Sequence, residues 1–248
     1  TMAAIRELTP EKIYQILTSG PGGTHQGVTL TDDQKKRVAE TTAGRLLDTL
    51  ESGDAKNMPN KCSANPPLKD AGSMPSWNGW GAGVSNTRFQ DAKNAGLTAE
   101  QLPKLKLKWA FGYPNGVTGW VQPAVVGGRV YIGTDTGWLY SLDANTGCVY
   151  WSYRLKAWMR GAVTYGPVRG AATGHPNAKF AIYFGDLKAN AYAVDAQTGQ
   201  ELWVASADSH ITSRITAAPT YYNGKLFIPI ASWEGFNAKQ AEYPCCTS

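Results

Sequence analysis

The residues with the most distinctive chemistry are two adjacent cysteines, Cys245 and Cys246, near the end of the 248-residue sequence. Neighbouring cysteines can close only a small, strained disulfide ring, and a disulfide away from its preferred geometry is more easily reduced than an ordinary one. Such a bond indicates a specific reactive surface rather than a structural cross-link. The alternative is two unrelated buried thiols, and the pair alone does not decide between them.

Two arginines and one glutamate form a second group of candidates. Arg160, in Trp-Met-Arg-Gly, and Arg214, in Ser-Arg-Ile-Thr, each begin a predicted inner strand in equivalent places of two repeats. A guanidinium is a planar fork of donors that suits carboxylates. Glu234 follows Trp233 where a strand leaves the third repeat, and a carboxylate there suits Ca²⁺. The alternatives are salt bridges for the arginines and a solvated loop acid for Glu234. His210 nearby either orients a ligand or caps a turn, and a turn cap is expected.

The elements that must position these residues are repeated along the chain. The segment 131–151 matches the segment 183–203 with a constant offset of 52 residues, and the segment 122–131 matches 218–227. Two-residue turns, Gly127-Gly128 and Asn223-Gly224, are of the type that twisted hairpins favour. A repeat of this length with four short strands indicates a β-propeller blade.

A second turn, Asp-Ala-x-Thr-Gly, occurs in each full repeat. Asp143 and Asp195 are expected to accept backbone N–H bonds in an Asx-turn, while the glycine supplies the positive φ that reverses the chain. The tryptophan four residues after that glycine, Trp151 or Trp203, is expected to be a large buried core residue, as is Trp109. The two aspartates are therefore turn residues rather than catalytic groups.

The composition is typical of an all-β protein. Charged residues make up only 17% of the sequence, against 27 glycines, 9 tryptophans and 12 tyrosines, which suits many short strands joined by glycine turns. Propellers close a ring of about six to eight blades, and residues 77–248 hold about three. We expect a partial β-propeller whose remaining blades come from a continuation of the chain or from another chain.

A small α-helical segment precedes the predicted propeller. Thr9-Pro10-Glu11 has the pattern of a helix start, with Thr as N-cap and Pro as the first helical residue. Thr31 and Gln34 form a capping box at the start of a second helix. We assign residues 1–52 to this segment and residues 53–76, rich in Gly, Asn, Lys and Pro, to a linker.

Charge, hydropathy and cysteine content narrow the function classes. The net charge of +5 is spread without a basic run among aromatics, so nucleic-acid binding is not indicated. No segment approaches the roughly 20 apolar residues that span a bilayer. Four cysteines favour an oxidising compartment, which predicts a periplasmic or otherwise exported protein. Cys62 and Cys148 either pair with each other or remain buried thiols.

The repeat Tyr-Ser-Leu-Asp-Ala-Asn-Thr-Gly-x-x-x-Trp resembles that of quinoprotein alcohol dehydrogenases. Further motifs between residues 77 and 248 together resemble the polyvinyl alcohol dehydrogenases within that family: Trp77–Gly81, Asn86–Gln90, Leu105–Gly112, Arg214–Thr216 and Tyr243–Thr247. The resemblance implies oxidation of primary or secondary alcohols, including polyvinyl alcohol, by hydride transfer to pyrroloquinoline quinone (PQQ). It also implies bound Ca²⁺ and cytochrome c as the electron acceptor.

The same resemblance implies roles for the candidate residues. Cys245 and Cys246 would form a disulfide against one face of the quinone ring. Arg160 and Arg214 would hold the carboxylates of the quinone, and Glu234 would ligate Ca²⁺. The catalytic base is not identified within this sequence.

The N-terminal helices resemble the end of the cytochrome c domain that precedes the propeller in polyvinyl alcohol dehydrogenases. The motif Cys-x-x-Cys-His is absent from the sequence, so haem c is expected only if a preceding segment carries that motif. Pro21–Thr24 stand where the family tends to place a methionine. His25 is the candidate axial ligand in its place, and a solvated loop histidine is the alternative.

Two other function classes fit the same repeats. A non-catalytic propeller of the outer-membrane assembly type has the same turns and acts as a scaffold without a cofactor. A relative that has lost redox activity would be a structural or interaction subunit. A continuation with further blade repeats would favour the enzyme, whereas absence of a quinone absorption band after reconstitution with PQQ and Ca²⁺ would favour the other two.

Overall fold

The computed structural model consists mostly of small antiparallel β-sheets that succeed one another along the chain. It describes residues 8–19, 30–43, 46–47, 52–168, 174–239 and 242–243. The described strands are β1 (Val121–Gln122), β2 (Ala124–Val126), β3 (Arg129–Gly133), β4 (Trp138–Asp143), β5 (Val149–Arg154), β6 (Gly161–Ala162), β7 (Thr164–Pro167), β8 (Phe180–Gly185), β9 (Asn190–Asp195), β10 (Glu201–Ser206), β11 (Ser213–Arg214), β12 (Thr220–Tyr222), β13 (Lys225–Phe227) and β14 (Ala231–Ser232).

The strand order confirms the predicted partial propeller. Strands β2-β3-β4-β5 form the first four-stranded blade, and β7-β8-β9-β10 form the second. Strands β12 and β13 form the first hairpin of a third. Between the blades, β1 pairs in parallel with β6, and β11 pairs antiparallel with β14. The predicted all-β fold class is therefore correct, and its sheets do not close a ring within the described residues.

Both predicted turn types are present. Gly127 and Gly128 have φ of 58° and 79° and connect β2 to β3, where Val126 pairs with Arg129. Asn223 and Gly224 repeat this geometry between β12 and β13, with φ of 46° and 78°. Positive φ at both central residues matches the right-handed twist of the flanking strands.

The Asp-Ala-x-Thr-Gly turns also form as predicted. One carboxylate oxygen of Asp143 accepts the backbone N–H groups of Asn145 and Thr146, at N···O distances of 2.9 and 2.8 Å. Asp195 accepts the equivalent two bonds, at 2.9 and 2.7 Å. The aspartates are thus occupied by their own turns.

Each blade packs against its successor through a tryptophan and a glycine. A Cβ atom added to Gly199 would lie 2.6 Å from the ring of Trp151, which is 6% exposed. Gly147 lies equally close to the ring of Trp109, whose Nε1–H also donates to Ala144 O at 3.2 Å. The tryptophan of one unit therefore covers the turn of the next.

Trp203, the equivalent tryptophan of the second blade, is the exception. It retains 36% of its surface exposed, so the prediction that it is buried is wrong. The Asp-Ala-x-Thr-Gly turn that covers Trp151 belongs to the second hairpin of a blade, whereas β12 and β13 form only a first hairpin.

The segment predicted to be a linker packs on the first blade. Cys62 and Cys148 form a disulfide with a Cα–Cα distance of 5.1 Å, which decides between the two alternatives left by the sequence. Beside it, Cys62 N donates to Val149 O at 2.9 Å and Val149 N donates to Asn60 O at 3.0 Å. This segment therefore adds a short parallel bridge to the outer strand β5.

A buried arginine joins this segment to both blades. Arg129 is 2% exposed, and its guanidinium donates to Asn65 Oδ1 at 2.7 Å, Pro66 O at 2.8 Å and Gln197 O at 3.2 Å. Its guanidinium carbon also lies 4.2 Å from the ring centroid of Tyr150. Burial lowers the pKa of Arg129 from its ordinary value. Hydrogen bonds to neutral acceptors and the face of the Tyr150 ring stabilise this buried cation between the two blades.

The N-terminal helices begin where the sequence predicts. Helix α1 (Pro10–Ser19) has Thr9 Oγ1 accepting the N–H of Lys12, at 3.2 Å. Helix α2 (Asp32–Ala43) has the reciprocal capping-box bonds between Thr31 and Gln34, at 2.8 and 3.3 Å. The remaining helical turns are Ala55–Asn57, Ala71–Ser73, α3 (Ala92–Ala95), Ala99–Lys104 and α4 (Glu234–Asn237). Among the described helices, none has the length and apolar character needed to cross a membrane.

Buried tyrosines make the fold sensitive to alkaline pH. Burial raises the pKa of Tyr131, Tyr140 and Tyr192 above the ordinary value of 10.0. A tyrosine with a raised pKa stabilises the fold below pH 10, and this stabilisation is lost as the pH rises further. We expect cooperative unfolding above pH 10, with tyrosinate absorbance rising together with the loss of circular dichroism.

The variant Tyr140→Phe tests the cause of this alkaline unfolding. The Tyr140 hydroxyl is buried without a hydrogen-bond partner among the described residues, so the substitution removes a titrating group and breaks no bond. The midpoint of alkaline unfolding should move to higher pH than in the wild type. An unchanged midpoint would contradict the role of Tyr140 ionisation.

Candidate functional site

A cavity of about 410 Å³ lies where the short inner strands β1, β6, β11 and β14 meet. This volume falls within the usual range for ligand sites. Its lining consists of three tryptophans, two arginines and small or hydroxylated residues: Trp80, Trp120, Arg160, Gly161, Arg214, Thr216, Ala231, Ser232 and Trp233. The structure thus brings both predicted arginines to one site, which we call the arginine cavity.

Strand pairing explains the position of Arg160. Val121 of β1 pairs in parallel with Gly161 of β6, so the residues that precede them, Trp120 and Arg160, are neighbours. The Arg160 guanidinium carbon lies 5.1 Å from the ring centroid of Trp120. Gly161 has φ of 105°, and an added Cβ would lie 2.6 Å from Thr216 O. Glycine is therefore required for this close approach.

A similar arrangement holds Arg214. It pairs with Ala231 across β11 and β14, and its guanidinium carbon lies 4.8 Å from the ring centroid of Trp233. One guanidinium nitrogen, Nη1, donates to Ile211 O at 2.9 Å and to Ser213 O at 2.7 Å. These contacts fix the orientation of the cation beside the cavity.

The electrostatic character of the arginine cavity is positive and aromatic. Its described lining contains two guanidiniums and no carboxylate. Trp120 and Trp233 are 52% and 50% exposed, so much of their ring surface is available to a ligand. Guanidiniums hold carboxylates by paired hydrogen bonds, and aromatic faces stack on planar rings. The site fits a planar, anionic, aromatic ligand.

Glu234 lies next to this cavity without lining it. Ser232 Oγ donates to Glu234 Oε2 at 3.1 Å, and the Tyr243 hydroxyl donates to Glu234 Oε1 at 3.4 Å. Ca²⁺ takes six or more oxygen ligands, whereas the described residues contain no group of three acidic, histidine or cysteine side chains that could hold a metal. A calcium site at Glu234 stays a prediction that requires further ligands.

Tyr243 anchors the last described residues near Arg214. Its hydroxyl lies 2.9 Å from Thr212 Oγ1, and its ring meets the His210 ring edge-on at a centroid distance of 6.0 Å. The backbone N–H of Thr212 donates to His210 Nδ1 at 3.3 Å, as expected for a histidine that caps a turn. The predicted site residues Cys245, Cys246 and His25 lie outside the described residues.

Sequence reasoning did not identify the tryptophans of the arginine cavity. Trp80, Trp120 and Trp233 fall outside the spacing at which tryptophan follows the Asp-Ala-x-Thr-Gly turn. That departure sets them apart from Trp151 and Trp203, but it also applies to the buried Trp138 of β4, so it does not by itself identify the cavity residues. Thr216 and Ser232, which supply hydroxyl groups to the lining, carry no comparable signal.

Comparison with known proteins identifies the class. Residues 101–232 match the PQQ_2 family model, described as outer membrane protein assembly factor BamB, and the chain belongs to this family. It is 43% identical over 186 residues to a polyvinylalcohol dehydrogenase of Pseudomonas sp., covering 75% of this chain and 28% of that protein. It is 38% identical over 214 residues to the polyvinylalcohol dehydrogenase of Sphingopyxis sp. (strain 113P3), covering 85% and 32%.

These matches confirm the resemblance to polyvinyl alcohol dehydrogenase-like quinoproteins. The chain spans about a third of the length of these relatives. Among solved structures, the quinohemoprotein alcohol dehydrogenase ADHIIG from Pseudomonas putida HK5 is 22% identical, with a TM-score of 0.51 over 70% of this chain and 25% of that chain. This likeness supports the propeller fold.

Proposed function

We propose that this chain forms part of the cofactor site of a PQQ-dependent alcohol dehydrogenase that oxidises primary or secondary alcohols, including polyvinyl alcohol. The observation that carries the proposal is the arginine cavity, where two guanidiniums and two half-exposed tryptophan rings surround one space. Similarity to polyvinylalcohol dehydrogenases over three quarters of the chain supports the same conclusion.

The chemistry of the cavity fits PQQ, which is planar and carries carboxylates. When bound, PQQ would accept a hydride from the alcohol carbon. Arg160 and Arg214 would hold its carboxylates, because a guanidinium stays charged at any physiological pH and presents a fork of donors. The rings of Trp120 and Trp233 fix the two cations and would exclude water from one side of the ligand. These residues thus bind and orient rather than transfer protons.

The cysteine pair and Glu234 would complete this side of the site. One residue, Pro244, separates Tyr243 from Cys245 in the sequence. Tyr243, whose hydroxyl contacts Thr212 and Glu234, is the described residue nearest to this pair in the sequence. In this proposal their disulfide covers one face of the quinone, and Glu234 contributes one oxygen ligand to Ca²⁺ beside it.

The partners and location of the protein are part of the same proposal. Electrons would leave to a cytochrome c, and haem bound to this polypeptide would require an attachment motif in a preceding segment, with His25 as an axial ligand. The disulfide between Cys62 and Cys148 supports export to the periplasm, because structural disulfides persist in oxidising compartments. The remaining blades would come from a continuation of the chain or from another chain.

Binding of PQQ by arginine variants tests the proposal. Arg160→Met and Arg214→Met keep the length of the side chain and remove its charge. Charge-assisted hydrogen bonds contribute about 1.5–3 kcal/mol, so each variant should weaken PQQ binding about 10- to 100-fold. Quenching of tryptophan fluorescence by PQQ, titrated with and without Ca²⁺, measures this change.

A matched control is available in Arg88→Met. The Arg88 guanidinium also lies over a tryptophan, Trp80, at 5.8 Å, but Arg88 does not line the arginine cavity. Its removal should leave PQQ affinity within about twofold of the wild type. Equal PQQ affinity in all variants, or no binding by the wild type, would favour the scaffold or the redox-inactive subunit instead.

A further inference from the structure

A second cavity, of about 360 Å³, adjoins the arginine cavity. Trp80 lines both spaces. One wall is the segment 76–86, and the opposite wall is the segment 217–221, which leads into the third blade. Thr216, at the end of that second wall, lines the arginine cavity. The two cavities are therefore neighbours on either side of Trp80.

Hydrogen bonds across this second cavity hold its walls in place. Asn78 Nδ2 donates to Tyr165 O at 2.8 Å, and Tyr165 N donates to Asn78 Oδ1 at 2.7 Å. The Thr164 hydroxyl donates to Pro219 O, which ties the second blade to the segment entering the third. The walls thus belong to three different parts of the fold and are fixed relative to one another before any ligand arrives.

The lining of the second cavity is uncharged throughout its described residues. Ser76, Asn86 and Thr220 provide hydroxyl and amide groups to the lining. Trp80 and Pro219 provide apolar surface between them. This mixture differs from the cationic lining of the arginine cavity, so the two spaces suit ligands of different chemistry.

We propose that the second cavity is a binding subsite for a neutral hydroxylated chain, a 1,3-polyol segment next to the carbinol that reacts in the arginine cavity. This inference rests on the proposed function. Alternating methylene and hydroxyl-bearing carbons match the lining, because the ring and proline surfaces contact methylene groups while Ser76, Asn86 and Thr220 pair with hydroxyls. With no charged lining side chain, the subsite offers no partner to a carboxylate or an ammonium group.

Filling the cavity with a bulky side chain tests this assignment. Gly83 lines the cavity, has an ordinary φ, and an added Cβ there meets no atom within 4 Å. Gly83→Tyr should therefore occupy the space without backbone strain. Gly112→Tyr is the matched control, because Gly112 is equally open and lines neither cavity.

Two measurements use these variants of the protein loaded with PQQ and Ca²⁺. In Gly83→Tyr, the ratio of KM for a 1,3-polyol oligomer to KM for 2-propanol should rise about tenfold, since a small alcohol does not extend into the subsite. Titration of tryptophan fluorescence with the oligomer, without PQQ, should show binding about tenfold weaker than in the wild type. Gly112→Tyr should change neither quantity.

The outcomes separate this inference from the proposed function. A folded Gly83→Tyr protein with unchanged oligomer binding and an unchanged KM ratio overturns the subsite. The wild type could bind the oligomer, lose that binding on the change Gly83→Tyr, and yet oxidise neither alcohol. That result would support the subsite and overturn the proposed function. If Gly83→Tyr does not fold, Thr220→Val takes its place, because it removes one hydroxyl at nearly constant side-chain shape. This variant should weaken oligomer binding about threefold. Unchanged oligomer binding in Thr220→Val would overturn the subsite.

Discussion

Replacing Cys62 and Cys148 by serine is expected to lower the free energy of unfolding by about 4–5 kcal/mol. The disulfide joins residues that are 86 positions apart, and closing so long a loop restricts the unfolded chain strongly. In the folded variant, the backbone bonds that join Asn60 and Cys62 to Val149 would remain. Because those bonds form only in the folded state, they do not restrict the unfolded chain as the disulfide does.

Urea unfolding followed by tryptophan fluorescence measures this effect. Limited trypsin digestion gives a local readout, because Lys61 is exposed in the segment that the disulfide holds against β5. Cleavage at Lys61 should be faster in the double serine variant. If the free energy of unfolding of the double serine variant were within about 1 kcal/mol of the wild-type value, the disulfide would contribute little to stability in solution.

Gly199→Ala is expected to destabilise the protein by about 2–5 kcal/mol. Two costs add at this position. Gly199 has φ of 75°, where a residue with a Cβ atom loses about 1–2 kcal/mol. The new methyl group would also lie 2.6 Å from the Trp151 ring, and overpacking of this kind costs about 1–3 kcal/mol. The ring cannot retreat easily because it is buried between two blades.

Gly96→Ala separates the two costs. Gly96 has a similar φ of 64°, but an added Cβ there meets no atom within 4 Å. This variant should lose only the backbone contribution, about 1–2 kcal/mol. Equal destabilisation of Gly96→Ala and Gly199→Ala in urea unfolding would mean that the Trp151 contact does not limit the space at the turn.

Features decided by neighbouring residues could be predicted from the sequence. The helix starts at Thr9 and Thr31 and the turns at Gly127-Gly128 and Asp143 each depend on a few consecutive side chains, and all four form as expected. The sequence also predicted inner-strand positions for Arg160 and Arg214, and both line one cavity. Their places are not equivalent, however, because Arg160 precedes β6 whereas Arg214 is the last residue of β11.

Features decided by distant parts of the chain could not be predicted in this way. Trp120 meets Arg160 only because β1 pairs in parallel with β6, and neither strand shows its partner in its own sequence. The Arg129 contacts and the disulfide involve residues more than 60 positions apart. Trp203 is exposed although it follows the same Asp-Ala-x-Thr-Gly turn as the buried Trp151, so the local pattern does not decide its burial.

The contact between Trp109 and Gly147 has a consequence for self-association. A tryptophan of one unit that covers a glycine turn of the next is a head-to-tail contact, and such contacts extend into filaments unless a ring closes or one end is blocked. Within the described residues, Trp203 has 36% of its surface exposed and no such turn packed on it. In every copy of the chain, however, the Gly147 turn is already covered by Trp109. The segment that carries Trp109 therefore occupies the position that a tryptophan of another copy would need in order to pack on this turn.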